Sequence, residues 1–163
     1  MDALIYWIAR SVVVLIQALP LTVVARLGRA GGALAHGLSA RYRRVVRENL
    51  TLVFGKEMSP EQIRALAKEN FRRIGENYAC AIKTSAMTAE QLKPHVEFAG
   101  IERLPSKIGD APLANVVVAI GHFGNFELYA RFHDARPEYQ CATTYRALPQ
   151  PALNRLLLSL RNT

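Results

Sequence analysis

The chain has 163 residues, half of them hydrophobic, which suits one domain of ordinary size with a sizeable core. Its net charge of +8 favours partners that carry phosphate, such as nucleic acid, anionic lipid or a phosphorylated substrate. The two cysteines, Cys80 and Cys141, form no Cys-x-x-Cys pair, which excludes a disulfide framework and a cysteine-based zinc module.

The N-terminal segment, residues 3–25, is almost uniformly apolar and is interrupted by Arg10 and Pro20. A helix needs about 20 mostly apolar residues to span a membrane, so we expect a membrane-anchoring helix over residues 1–25. A cleaved signal peptide and a buried core helix are the alternatives. Between Ala3 and Arg47 there are seven arginines and no acidic residue, and most of the arginines follow the apolar run. If the helix spans, this charge places the following domain, residues 26–163, on the cytoplasmic side.

Three helical features follow the apolar segment. Gly28, Gly31, Gly32 and Gly37 alternate with Ala and Leu, and such small residues let helices approach closely. The stretch 41–50 predicts a basic helix, whose arginines either form a solvated face or contact anionic headgroups. Ser59, Pro60 and Gln62 predict a capped helix start, and an apolar stripe extends that helix to about Lys83.

The second half of the chain has the pattern of an α/β fold. Val96–Phe98, Asn115–Ile120 and Gln140–Tyr145 are strand candidates, and the β-branched run at 115–120 is typical of a strand buried on both faces. Helices are expected over Phe123–Phe132 and along the leucine stripe of residues 153–160. The alternation predicts a mostly parallel sheet flanked by helices, following the helical N-terminal region.

The most informative motif is Gly-His-Phe-Gly-Asn-Phe-Glu at residues 121–127. It places His122 just beyond a predicted buried strand, where α/β sheets bind ligands. With His122 on a turn and Glu127 in the first turn of the next helix, the carboxylate can reach back to the imidazole, orient it as a base and stabilise its charged form. The pattern of a histidine followed by an acid five residues later is weak evidence alone, because His133 and Glu138 repeat it without the glycines.

This motif resembles that of the lipid A late acyltransferases, the lauroyl and myristoyl transferases of Gram-negative bacteria. The similarity extends over essentially the whole chain, through the Arg43-Arg44-Val45 stretch, residues 96–102, and Tyr145-Arg146. Phe126 replaces the usual tryptophan, and Ala147 and Gln150 replace proline and asparagine. Family members are considerably longer, so we expect a fold that is incomplete at its C-terminus and a fragment that is inactive alone.

The resemblance implies acyl transfer from acyl carrier protein to a hydroxyl of a lipid A precursor at the inner membrane, without a metal or other cofactor. His122 is then the general base and Glu127 its partner. Backbone donors near Gly124 and Asn125 stabilise the oxyanion. Arg146 contacts phosphate, positions the acyl donor, or forms a structural salt bridge. Arg43 and Arg44, in the 41–47 cluster, bind lipid phosphate or the acidic carrier protein.

Three other functions compete with this interpretation. A glycerolipid acyltransferase shares the chemistry but not the acceptor, and the long Gly-His-Phe-Gly-Asn form argues against it. A truncated, non-catalytic membrane-associated remnant would explain the absent downstream half. A nucleic-acid binder would explain the charge, but no aromatic residues are interleaved with the basic cluster, so we expect no nucleic-acid partner.

Overall fold

The computed structural model describes residues 2–103, 105, 115–134, 137–140, 142 and 144–161. Within these ranges the α-helices are α1 (Asp2–Ala18), α2 (Leu21–Leu38), α3 (Ala40–Phe54), α4 (Pro60–Thr84), α5 (Ala89–Leu92) and α6 (Pro151–Arg161). Two 3-10 helices cover Ile101–Arg103 and Phe126–Asp134. Cys141 and parts of the predicted strand at 140–145 lie outside the described residues.

The apolar N-terminal segment is broken into two helices at Pro20. Proline has no N–H to continue a helix, and Pro20 instead precedes the first residue of α2. Helix α1 has 17 residues and is therefore about 26 Å long, shorter than a hydrocarbon core of about 30 Å. Among the described helices, none combines the length and apolar character that crossing a membrane requires. The predicted membrane-anchoring helix is therefore wrong.

Helices α2 and α4 pack along each other at very close range, and glycines make the approach possible. A Cβ atom added to Gly32 would lie 2.1 Å from the carbonyl oxygen of Phe71, and one added to Gly75 would lie 2.2 Å from that of Gly28. No side chain fits into either space. The predicted packing role is confirmed for Gly28 and Gly32, whereas Gly31 has open space around its Cβ position.

Polar contacts define where α4 begins and how it meets α2. Ser59 accepts a hydrogen bond from the Gln62 N–H, and the Gln62 side chain accepts one from the Ser59 N–H, so the predicted capping box is confirmed. Further along, Arg29 of α2 donates to Glu69 at 2.7 Å and to Glu76 at 3.0 Å, both on α4. The hydrogen bond from Arg29 lowers the pKa of the Glu69 carboxyl below its ordinary value.

The predicted α/β fold with a parallel sheet is wrong, because the described residues contain helices and no strands. Residues 115–120 are exposed, and Val117 is 99 % accessible, so this run is not buried on either face. Residues 96–98 also form no strand. A strand is stabilised by hydrogen bonds to a neighbouring strand, and β-branched residues alone do not supply one.

The C-terminal end of α4 is where other elements converge. Gln17, at the end of α1, donates to the Ile82 carbonyl and the Ser85 hydroxyl, both at 3.3 Å, and Lys83 donates to the Gln17 carbonyl at 2.5 Å. The 126–134 helix also packs against α4, and α6 packs against α1. The predicted motif at 121–127 therefore lies beside a helix end.

Candidate functional site

His122 is the central residue of a tight turn, because the Phe123 N–H donates to the Gly121 carbonyl at 2.9 Å. Gly124 follows with a φ of +60°, a left-handed conformation that glycine adopts without strain. The imidazole is exposed, and its ring centroid lies 4.6 Å from that of Phe126. The turn thus presents His122 to incoming molecules, as a base requires.

Hydrogen bonds hold the 126–134 helix and the residue before it against the C-terminal end of α4. The Asn125 side chain donates to the Thr84 hydroxyl at 3.1 Å. Arg131 donates to the Met87 carbonyl at 2.9 Å and to the Thr84 carbonyl at 3.4 Å. The helix begins at Phe126, and Glu127 lies in its first turn as predicted.

Glu127 forms a bidentate ion pair with Arg161, the last residue of α6. Nε of Arg161 lies 2.9 Å from Oε2 of Glu127, and Nη2 lies 2.5 Å from Oε1. Both side chains are about a quarter exposed. The hydrogen bond to Glu127 raises the pKa of Arg161, opposed by partial burial. The guanidinium also lies 5.4 Å from the centre of the Tyr145 ring.

His122 and Glu127 are not joined in this structure: among the described residues, no hydrogen bond or ion pair connects the two side chains. The carboxylate contacts Arg161 instead. The helix begins at Phe126 instead of the predicted Phe123 and still carries Glu127 in its first turn. The predicted orientation of the imidazole by Glu127 stays a prediction.

The other predicted site residues lie in different surroundings. The Gly124 Cβ position has open space, and the Asn125 side chain turns inward to Thr84. Arg43 donates to the carbonyls of His36 and Gly37, at the end of α2. Arg146 is exposed, with no ion pair among the described residues.

Arg44 lines a groove between α3 and the start of α4, about 560 Å³ in volume. Arg47 and Arg64 also border the groove, and Leu52, Pro60 and Ile63 contribute apolar surface. Glu48 and Glu61 pair with Arg44 and Arg64 respectively. An apolar surface edged by arginines suits an anionic amphiphile, because the hydrocarbon and the charged group each find a matching contact.

A comparison with protein families tests the resemblance noted in the sequence. The family described as bacterial lipid A biosynthesis acyltransferase matches residues 1–163. The chain belongs to this family. No curated protein and no solved structure matches it.

For a lipid A biosynthesis acyltransferase, the structure adds two residues that the sequence analysis did not single out. Arg161 holds the carboxylate of Glu127, and Thr84 holds the side chain of Asn125. Thr84 is a buried polar residue at the end of an amphipathic helix, which is a weak signal for such a contact. Arg161 carried no signal, because nothing in the local sequence indicates a partner 34 residues away. Within the described ranges, no three His, Cys, Asp or Glu side chains cluster as metal ligands.

Proposed function

We propose that this chain transfers a fatty acyl group from the thioester of acyl carrier protein to a hydroxyl of a lipid A precursor, with His122 as the general base. The family match along the whole chain carries this proposal. The exposed position of His122 on a tight turn supports it, because a base must reach the hydroxyl it deprotonates.

In the proposed reaction, an imidazole nitrogen of His122 takes the acceptor hydroxyl proton while that oxygen attacks the thioester carbonyl. A tetrahedral oxyanion forms, and backbone N–H groups near Gly124 and Asn125 stabilise it. The carbon–sulfur bond then breaks, and the imidazolium returns the proton to the departing thiolate. The products are an ester and the free thiol of the carrier protein, so no covalent enzyme intermediate is required.

Glu127 can serve His122 and Arg161 together. A carboxylate has about four acceptor positions on its two oxygens, and the ion pair with Arg161 occupies two of them. We propose that a remaining position accepts the N–H of His122 when the substrates are bound. Arg161 then holds the carboxylate in place.

The arginine groove between α3 and α4 is the proposed contact for a phosphate of the acceptor lipid. Arg44 and Arg47 supply the charge, and Leu52 and Ile63 supply apolar surface for a hydrocarbon segment. Arg43 donates to carbonyls at the end of α2 and stays a proposed contact for lipid phosphate or the carrier protein. The exposed Arg146 stays a proposed contact for phosphate or for the acyl donor.

We propose that the reaction takes place at the inner membrane surface, because the acceptor is a membrane lipid. Helix α1 exposes Leu4, Trp7, Ile8 and Leu15. Exposed apolar residues, among them a tryptophan, are typical of helices that lie in the membrane interface without crossing it. Charge from the arginines of α3 would add attraction to anionic headgroups.

A second candidate is a non-catalytic role, which the absence of a His122–Glu127 contact favours. An acyl-transfer assay separates the two, with acyl carrier protein thioester and lipid A precursor as substrates. In a full-length family member, replacing the equivalent of His122 with alanine should lower kcat by roughly 100- to 10,000-fold, the usual contribution of a general base. The equivalent of His133→Ala is the control and should change kcat little. Equal losses from the two substitutions would refute His122 as the base.

A further inference from the structure

Thr84 is a buried polar residue whose hydroxyl both donates and accepts a hydrogen bond. Thr84 is the last residue of α4 and is only 5 % exposed. The hydroxyl donates to the Ala81 carbonyl at 3.3 Å and accepts from Nδ2 of Asn125 at 3.1 Å. Burying a hydroxyl costs free energy unless it is hydrogen-bonded, so both bonds are needed at this site.

The hydrogen bond that the Thr84 hydroxyl accepts comes from Asn125, in the segment that carries His122. Asn125 is three residues beyond His122, with the left-handed Gly124 between them. The Asn125 carbonyl also accepts from the Leu128 N–H at 3.1 Å, so Asn125 is the point where the turn joins the 126–134 helix. Holding the Asn125 side chain therefore fixes the downstream end of the turn.

A separate contact holds the helix itself. Arg131 donates to the carbonyls of Thr84 and Met87, one helical turn or more beyond Asn125. These bonds use the backbone carbonyls of Thr84 and Met87 and would persist if only the Thr84 hydroxyl were removed. Loss of the hydroxyl should therefore release the turn while the helix stays attached to α4.

We propose that Thr84 is a positioning residue for His122: its hydroxyl holds Asn125 and thereby fixes the turn that presents the imidazole. This inference rests on the proposed role of His122 as the base. The tether itself can be tested independently of any activity, because the position of the turn is directly observable.

The test uses Thr84→Val, which keeps the shape of the side chain and removes the hydroxyl, and Thr84→Ser, which keeps the hydroxyl. Amide hydrogen exchange is measured on the 163-residue chain. In Thr84→Val, exchange of the Phe123 N–H, which donates to the Gly121 carbonyl within the turn, should rise about five- to tenfold, the factor expected for one net hydrogen bond. Thr84→Ser should match the parent, and the α2–α4 contact should be unchanged in both variants.

The imidazole signals provide a second readout. The His122 ring lies 4.6 Å from Phe126 and the His36 ring lies 5.2 Å from Phe71, so both sense an aromatic ring current. In Thr84→Val, the His122 NMR signals should move toward those of a mobile histidine, while the His36 signals stay in place. If Thr84→Val does not fold, Asn125→Ala removes the same bond from the loop side and should give the same shifts.

Three outcomes would overturn the inference. The first is unchanged exchange of the Phe123 N–H in Thr84→Val. The second is increased exchange throughout the α2–α4 contact in that variant, and the third is a Thr84→Ser variant that does not behave like the parent. In a full-length family member, the equivalent of Thr84→Val should lower kcat about tenfold with little effect on KM, because the base is displaced and substrate contacts remain. A released turn in Thr84→Val together with an unchanged kcat in His122→Ala would refute the proposed base and leave the tether standing.

Discussion

Arg161 and Glu127 are bound through two parallel hydrogen bonds, and this pair joins the end of α6 to the start of the 126–134 helix. The two residues are 34 positions apart, and both are about three-quarters buried. Such a bidentate pair restricts the carboxylate in direction as well as in distance. The acid of the proposed dyad is therefore held by a residue outside the motif.

Replacing Arg161 with glutamine should destabilise the chain. The loss is expected to be about 1–2 kcal/mol in the free energy of unfolding, between that of a surface pair and that of a buried one. Urea denaturation of Arg161→Gln, Glu127→Gln and the double variant measures the coupling between the two side chains. Arg64→Gln is the control, since its pair with Glu61 is mostly exposed. If the effects of the two single substitutions on the free energy of unfolding are additive in the double variant, the ion pair contributes nothing to stability.

Two neighbouring glycines of α2 should respond to alanine in opposite directions. Gly32→Ala places a Cβ 2.1 Å from the Phe71 carbonyl oxygen, so the α2–α4 contact must open. We expect a loss of about 1–3 kcal/mol, the range for overpacking. A Cβ added at Gly31 has no other atom within 4 Å, so Gly31→Ala should stabilise the helix by up to about 1 kcal/mol. Thermal unfolding of the two variants checks this, and equal shifts of Tm would contradict the observed packing.

The ion pair between Arg29 and Glu69 should make stability depend on pH in the acid range. The hydrogen bond from Arg29 lowers the pKa of Glu69 below its ordinary value of 4.5. A lowered carboxyl pKa stabilises the folded state above pH 4.5, and this contribution is lost as the pH falls through the lowered pKa. The stability difference between the parent and Arg29→Gln should thus be largest near neutral pH and shrink in acid.

Urea denaturation at several pH values between neutral and strongly acid measures that difference. Arg26→Gln is the control, because Arg26 is exposed on the same helix and has no ion pair among the described residues. Its effect should not vary with pH over this range. A difference for Arg29→Gln that grows in acid would mean that Glu69 is not stabilised in its charged form.

Removing the arginines of the α3–α4 groove should weaken binding of a phosphorylated lipid. The triple variant Arg44→Gln, Arg47→Gln and Arg64→Gln should bind the precursor in neutral micelles roughly 100-fold more weakly, at about 1 kcal/mol for each charge. Calorimetric titration measures this, with Arg26, Arg73 and Arg103 replaced together as the charge-matched control. The dephosphorylated precursor should not distinguish the two triple variants. Equal losses for both with the phosphorylated lipid would indicate a general charge effect and no groove site.

Local sequence patterns predicted the helices well, because their signals lie within a few residues of one another. The capping residues of α4, the leucine stripe of α6 and the small residues of α2 each act over one or two turns. Pro20 is also a local signal, and it marks the break between α1 and α2 within the apolar segment. The predicted anchor is wrong because Pro20 divides the apolar segment between two helices.

The strand at residues 115–120 was predicted from side-chain type alone, and strand formation depends on a partner elsewhere in the chain. The same distinction applies to the site. By itself, the sequence determined that His122 lies on a glycine turn and that Glu127 lies in the first turn of the next helix. Only the tertiary structure decided that Glu127 faces Arg161 and that Asn125 faces Thr84. Hydrogen bonds form between atoms that are close in space, and these partners are brought together by helix packing and not by sequence spacing.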